Sequence, residues 1–180
     1  MTQKSSELIE FLRSLRAVRD YTPEPITEGD IDDMLEVGRW SGSSSNRQPA
    51  ELVVVRDQAI KQKLAEGGVA PAARASLAFV IVTPGDPATR EREAFDDGRL
   101  VERLLLAAKA CGLGANIGSL KGEGPSVIKQ ALGIPPERRV WSVVTVGRID
   151  EQARRARAAA RAGAGRKPLA EFAHWDRFSA

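Results

Sequence analysis

The stretch Ser41-Gly-Ser-Ser-Ser-Asn46-Arg-Gln-Pro49-Ala-Glu51-Leu-Val-Val-Val55 decides how this chain is read. Its first half is a polar loop rich in Gly, Ser and Asn. Its second half, Glu51–Val55, is a short β-branched run that reads as a strand, with Pro49 fixing the backbone that enters it. Between Ser43 and Pro49 the loop offers hydroxyls, two carboxamides and a guanidinium. Carboxamides both donate and accept hydrogen bonds, which suits a heteroaromatic edge whose donors and acceptors alternate. Taken alone, the same residues also describe an ordinary polar turn.

Towards the N-terminus, Thr27 opens a helix with Ile31, Met34 and Leu35 on its apolar face. Asp30 lies three residues after the cap. Asp20–Pro25 breaks the chain ahead of it. Before that, Leu8, Phe11, Leu12, Leu15 and Val18 recur at helical spacing and predict an amphipathic helix over Ser5–Arg19, capped by Ser5 or Ser6. Arg16 and Arg19 would then share one side of its last turn. Such a pair can clamp a phosphate with planar, charge-assisted forks, or simply sit solvated at a helix C-terminus, where cations are favourable.

Towards the C-terminus, Asp57–Glu66 reads as a helix capped by Asp57. Leu77–Thr83 is a continuously apolar strand, expected to be buried on both faces. Pro84–Asp97 reads as an exposed loop. Leu100–Cys111 is apolar nearly all round and predicts a central buried helix. Gly112–Gly124 is glycine-rich. Pro125–Leu132 is a short helix with Gly133 at its C-cap, and Val140–Val146 a third strand. Glu151–Arg161 is a basic helix, followed by Gly163–Gly165 and the tail Arg166–Ala180. Helices outnumber the strands and alternate with them, giving an α+β or α/β class with a central sheet covered by helices. There is no internal repeat and no domain boundary, so residues 1–180 form one domain.

The composition narrows the chemistry. Of the 180 residues 42% are hydrophobic, enough for a real core. The apolar runs are too short to span a bilayer, and Met1–Glu10 lacks a signal pattern, so a cytoplasmic location is expected. Cys111 and His174 are the only residues of their kinds. A thiol metal cluster, an intrachain disulfide and a zinc or Ser-His-Asp site therefore all lose support. Cys111 reads as a core thiol. The net charge of +3 is concentrated late in the chain. Arg154, Arg155, Arg157, Arg161, Arg166 and Lys167 face only Glu151 between residues 151 and 167, a tract open to solvent, an anionic cofactor or nucleic acid. Gly112-Leu-Gly-Ala-Asn-Ile-Gly118-Ser119 would let a backbone approach a ligand closely. It is not a GxGxxG and follows a helix, so the dinucleotide-binding context is missing.

In order and spacing these segments resemble the nitroreductase family, from near residue 8 to near residue 176. The family's R-R-S-x-R pattern is matched by Leu15-Arg16-Ala17-Val18-Arg19, followed by Tyr21 and a proline turn. Its A-P-S-x-x-N-x-Q-P-W loop is matched by Ser41–Ala50, its central helix and G-L-G by Leu104–Gly114, and its late strand by Leu132-Gly-Ile-Pro135 and Val140–Gly147. Its R-K-P-L tail is matched by Arg166–Leu169, with His174-Trp175 beyond. The resemblance implies a nitroreductase-like α+β fold: a central mixed or antiparallel sheet flanked by helices, in an intertwined homodimer whose basic tail, about residues 150–180, wraps the partner subunit.

It further implies FMN at the subunit interface. Arg16, the Ala17 backbone and Arg19 would contact the flavin phosphate, ribityl chain or pyrimidine edge, with Arg19 near N1–O2. Arg166 and Lys167 would neutralise the phosphate. Ser44, Asn46 and Gln48 would face the isoalloxazine or ribityl group, some across the dimer, and Ile117, Gly118 and Ser119 the other edge of the ring. The implied activity is ping-pong reduction of nitroaromatics, quinones or similar acceptors by NADH or NADPH. The flavin carries the chemistry, no side chain serves as nucleophile or base, and neither metal, nucleic acid nor membrane is involved. Leu15, Ala17 and Ala50 depart from the family pattern, and the short Pro84–Asp97 segment implies an open, poorly lidded site. A non-catalytic flavin store or sensor, or another flavin reaction on the same fold, is the alternative; a nucleic-acid binder using Arg154–Arg161 is the remaining one.

Overall fold

A computed structural model describes residues 3–160 and 165–178. Arg161 and Gly163, expected at the end of the basic helix and in the break after it, lie outside the described residues. Four strands form one antiparallel sheet in the order β1-β2-β4-β3: β1 (Glu51–Val55), β2 (Leu77–Thr83), β3 (Gly114–Ser119) and β4 (Arg139–Gly147). The helices are α1 (Gln3–Arg13), α2 (Glu28–Arg39), α3 (Gln58–Glu66), α4 (Arg90–Ala110), α5 (Gly124–Leu132), α6 (Glu151–Ala159) and α7 (Leu169–Phe172). This is an α+β arrangement with helices on both faces of the sheet.

The two faces follow from the period-2 geometry of strands. In β2, Leu77, Phe79 and Ile81 meet α2 and α4, packing with Met34, Leu100 and Leu104. Ala78, Val80 and Val82 meet the α3 and α5 side, with Leu64 and Ile128. Every residue of β2 is buried, as its unbroken apolar run requires. In β4 the alternation slips. Val80 pairs with Val143 but Val82 with Val140, so β4 holds an extra residue there. This bulge returns Val140 to the face that Val143 occupies.

Local signals act as their chemistry dictates. Thr27 and Asp30 close a reciprocal capping box on α2. Asp57 accepts from the Ile60 N–H at 2.9 Å, and Gly133 ends α5 with φ 66°.

Three expectations are corrected. First, α1 ends at Arg13 rather than Arg19. Leu15–Asp20 leaves the helix because its backbone pairs elsewhere. The Val18 N–H donates to Ala115 O at 2.8 Å, Thr22 N to Arg148 O at 3.0 Å, and Asp150 N to Asp20 O at 3.0 Å. Second, Gly112–Gly124 is not only a glycine-rich connection, since it contains strand β3 at the sheet edge. A Cβ on Gly114 would lie 2.6 Å from Val18 Cγ1, and one on Gly118 2.6 Å from Val69 Cγ1. Both glycines are therefore demanded by close packing, which weakens the strand signal in the sequence.

Third, Pro84–Asp97 is not an exposed loop: α4 begins at Arg90 and runs for 21 residues. Its first turns carry three buried carboxylates with partners. Glu93 accepts from Thr83, Thr89 and the Gly85 N–H, Asp96 from the Ser44 N–H, and Asp97 from Ser142 Oγ. Further along, α4 buries one stripe (Leu100, Val101, Leu104, Ala107, Ala108) while Glu102 and Arg103 stay exposed, so it covers the sheet from one side. Cys111 packs half-buried against this core. Among the described residues no helix is long and apolar enough to cross a membrane, and no cluster of His, Cys, Asp or Glu could hold a metal ion.

Candidate functional site

The backbone pairing of Val18–Thr22 with β3 and the end of β4 lays Arg19 and Asp20 beside the sheet edge. Tyr21 anchors the segment from below. It is buried, and its hydroxyl bonds to Val18 O at 2.7 Å and Thr145 Oγ1 at 2.9 Å. Opposite, a 3-10 turn at Ala70–Arg74 follows α3. Between them lies a groove of about 400 Å³, lined by Arg19, Asp20, Gly68, Val69, Ala70, Pro71, Arg74, Asn116, Ile117, Gly118 and Arg157.

The groove is electropositive. It gathers three guanidinium groups, from Arg19, Arg74 and Arg157, against the single carboxylate of Asp20. Arg157 reaches over from α6 and grips Asp20 with both nitrogens, at 2.7 and 2.8 Å. That hydrogen-bonded pair holds the Asp20 carboxyl below its ordinary range. Burial opposes the shift, and the charges of Arg157, Arg74 and Arg19 reinforce it. Asn116, on β3, is 2% exposed, and its carboxamide oxygen has no hydrogen-bond partner among the described residues. A buried acceptor left unpaired costs roughly 1–3 kcal/mol. Positive charge at one side and an apolar wall of Val69, Ala70 and Pro71 suit an anionic ligand that also carries a flat ring.

The residues expected from sequence divide into groups. Arg19, Ile117 and Gly118 line the groove, and Ser119 follows directly on β3. Arg16 and the exposed Ala17 do not line it. Arg16 Nη1 instead donates to Arg13 O and Leu15 O, both at 2.7 Å, satisfying carbonyls at the end of α1. The expected placement of Arg16 and Arg19 on one helix side fails because α1 ends at Arg13, before either of them. Arg166 and Lys167 are exposed in the tail, with the Lys167 ammonium 5.8 Å from the Phe172 ring centre.

Ser44, Asn46 and Gln48 form a separate cluster. A 3-10 turn spans Ser44–Asn46, and Ser45, Asn46 and Gln48 all have left-handed φ, at 52°, 52° and 50°. For non-glycine residues that conformation is strained, by about 1–2 kcal/mol each, though asparagine tolerates it best. Among the contacts holding the loop, Ser43 Oγ accepts from Gln48 N at 2.8 Å, the Asp96 carboxylate accepts from Ser44 N at 3.1 Å, and Arg47 Nε donates to Ser44 O at 3.3 Å. The side chains of Ser45, Asn46, Arg47 and Gln48 are exposed. The loop borders a different cavity, of about 170 Å³, with Gln48, Ser43 and Asp96 on its wall.

Asp20, Arg74, Asn116 and Arg157 are groove residues that the sequence did not single out. Arg157 stood in the basic tract and Asn116 in the glycine-rich segment. Asp20 and Arg74 had no local signal, since only long-range pairing brings them together.

Comparison with known proteins agrees with this architecture. The nitroreductase family profile matches residues 12–67. A candidate NADH dehydrogenase/NAD(P)H nitroreductase of Archaeoglobus fulgidus is 30% identical over 147 residues, covering 78% of this chain and 84% of that protein. An NADH dehydrogenase of Thermus thermophilus is 27% identical over 169 residues, covering 73% and 82%. An FMN-dependent nitroreductase of Clostridium difficile superposes with a TM-score of 0.71 at 23% identity, over 79% of this chain and 88% of that one. Nitroreductase A of Vibrio parahaemolyticus reaches 0.80 at 21% identity, over 96% and 76%. On this identity, coverage and shared fold, the chain belongs to the nitroreductase family of oxidoreductases.

Proposed function

We propose that this chain is an FMN-dependent NAD(P)H oxidoreductase, working as a cytoplasmic homodimer and reducing electron-poor acceptors such as nitroaromatics or quinones. The observation that carries the proposal is the groove, with three arginines and one carboxylate gathered beside an apolar wall. FMN, when bound, supplies hydride acceptance from NAD(P)H and hydride delivery to the acceptor.

The rest is done by this chain. Arg19 and Arg74 would hold FMN with positive charge beside it, which would favour its more anionic reduced form. The backbone of Ile117–Ser119 forms one wall, and Pro71 and Val69 exclude water from the other. No side chain acts as nucleophile or general base.

The groove is half of the proposed site. α1 buries none of its side chains, leaving Leu8 60% and Leu12 49% exposed, and Trp175 in the tail is 89% exposed. Apolar surface of this kind suits burial by a second copy. In that assembly Ser44, Asn46 and Gln48 of one copy complete the groove of the other, and Arg166 and Lys167 add charge for the phosphate.

Titrating the purified protein with FMN, then following NADH or NADPH oxidation with a quinone or nitroarene, tests the proposal. Saturable FMN binding with acceptor-dependent turnover is expected. A protein that FMN does not bind overturns the reading. FMN binding without turnover points to the flavin store instead.

A further inference from the structure

Lys61 is a buried cation that the groove does not use. It sits on α3 with 7% of its surface exposed. Burial pushes its pKa down, opposed by the charge of Asp57. A desolvated ammonium is costly unless it is well bonded. Its Nζ donates to Ala75 O at 2.7 Å and lies 3.4 Å from Ser76 O. One turn earlier on the same helix, Gln58 Nε2 donates to Ala73 O at 2.9 Å.

The three carbonyls held in this way flank one residue, Arg74. It ends the 3-10 turn and stands on the partition between two cavities, the groove and a cleft of about 630 Å³ on the α3 side. The turn is short, and 3-10 geometry bonds itself poorly. Without Gln58 and Lys61 the carbonyls on both sides of Arg74 would lose their side-chain donors.

We propose that Lys61 and Gln58 are positioning residues for Arg74: they lock the backbone around it so that its guanidinium stays directed at the groove. This rests on the reading of the groove as the flavin site. Through Arg74 the two residues set how tightly FMN binds and how far the protein favours its reduced form, which carries more negative charge than the oxidised one.

The test compares Lys61→Met, Gln58→Leu, Arg74→Ala and the Lys61→Met/Arg74→Ala double variant. It measures the FMN dissociation constant and the midpoint potential of the bound flavin. Lys61→Met is expected to weaken FMN about tenfold. A tenfold loss of preference for the reduced form lowers a two-electron potential by about 30 mV. The double variant should be no weaker than Arg74→Ala alone, because the lysine acts only through the arginine. Lys61→Gln, which keeps a donor, should recover part of the affinity.

If Lys61→Met does not fold, Gln58→Leu carries the test, with an expected loss of about threefold. Arg74→Ala weakening FMN while folded Lys61→Met and Gln58→Leu leave affinity and potential unchanged overturns the positioning role alone. Simple addition of the Lys61→Met and Arg74→Ala effects in the double variant overturns it as well. FMN binding unaffected by Arg74→Ala and Arg19→Ala together overturns the groove reading, and the positioning role with it.

Discussion

The groove beside β3 and the Ser43–Pro49 loop are built in opposite ways. The groove stands on main-chain pairing of Val18 with Ala115 and of Asp20 with Asp150, and on the buried Tyr21 hydroxyl bonded to Thr145 Oγ1. Its carboxylate, Asp20, is buried at the sheet edge, while Arg74 and the paired Arg157 stay exposed above it. The loop turns outward, with three non-glycine residues in left-handed conformation and its amides and guanidinium in solvent. Within the chain the loop is held by Ser43 Oγ on Gln48 N, Asp96 on Ser44 N and Arg47 Nε on Ser44 O, which leaves the Asn46 and Gln48 carboxamides in solvent. In the proposed function the groove would supply the cationic half of the site and the loop would offer the amide half to a second copy.

This contrast can be broken from either side. The largest effect is expected at the groove. Changing Arg19 and Arg74 together to Ala removes two charge-assisted contacts at roughly 1.5–3 kcal/mol each. FMN affinity should fall at least a hundredfold in a fluorescence titration, with the melting temperature nearly unchanged. A drop below tenfold would show that the groove does not carry the charge recognition.

Next comes the packing that the groove depends on. Gly118→Val places a Cβ 2.6 Å from Val69 Cγ1. It should cost about 1–3 kcal/mol in denaturant unfolding and close the groove. Unchanged stability would mean that Val69 yields easily, contrary to its close packing on Gly118.

The loop should respond with the opposite sign. Ser45→Gly relieves a left-handed serine and should stabilise the protein by about 0.5–1 kcal/mol. It leaves the groove untouched, so FMN affinity should change little. Destabilisation would mean that the strain is not there to be relieved.

The smallest effect concerns pH. Asp20 is held below its ordinary value of 3.8 by Arg157. Its contribution is complete above the unfolded value and is lost as pH falls through the lower native value. Asp20→Asn should flatten the acid limb of the stability curve and leave its neutral region parallel to wild type. An unchanged acid limb would place the ion pair elsewhere in solution.

Much of the fold is legible in the sequence where local chemistry decides it. The box at Thr27, the cap at Asp57, the glycine at 133 and the unbroken apolar run of β2 each act within a few residues. What escapes is decided at long range. β3 is written with two glycines because Val18 and Val69 press against it, so packing overrides the strand signal. The charged start of α4 looks like a loop because its helix is secured by Glu93, Asp96 and Asp97, whose partners lie on β2, β4 and the loop. α1 looks longer in the sequence than it is because Leu15 and Val18 fit helical spacing while the Val18 N–H is claimed by β3.

The site divides along the same line. The polar loop is conspicuous because its residues are adjacent. The groove is not, because Asp20 and Arg157 meet across more than half the chain.

Mixing two defective proteins tests the shared site most directly. One carries Arg19→Ala and Arg74→Ala, the other Asn46→Ala and Gln48→Ala. Subunits exchanged at equal ratio should form mixed dimers in which one of the two sites has both an intact groove and an intact loop. The predicted result is recovery of FMN binding and turnover to about a quarter of the wild-type sites. No recovery, with exchange verified, would contradict a site built from two copies and place the loop's role within its own chain.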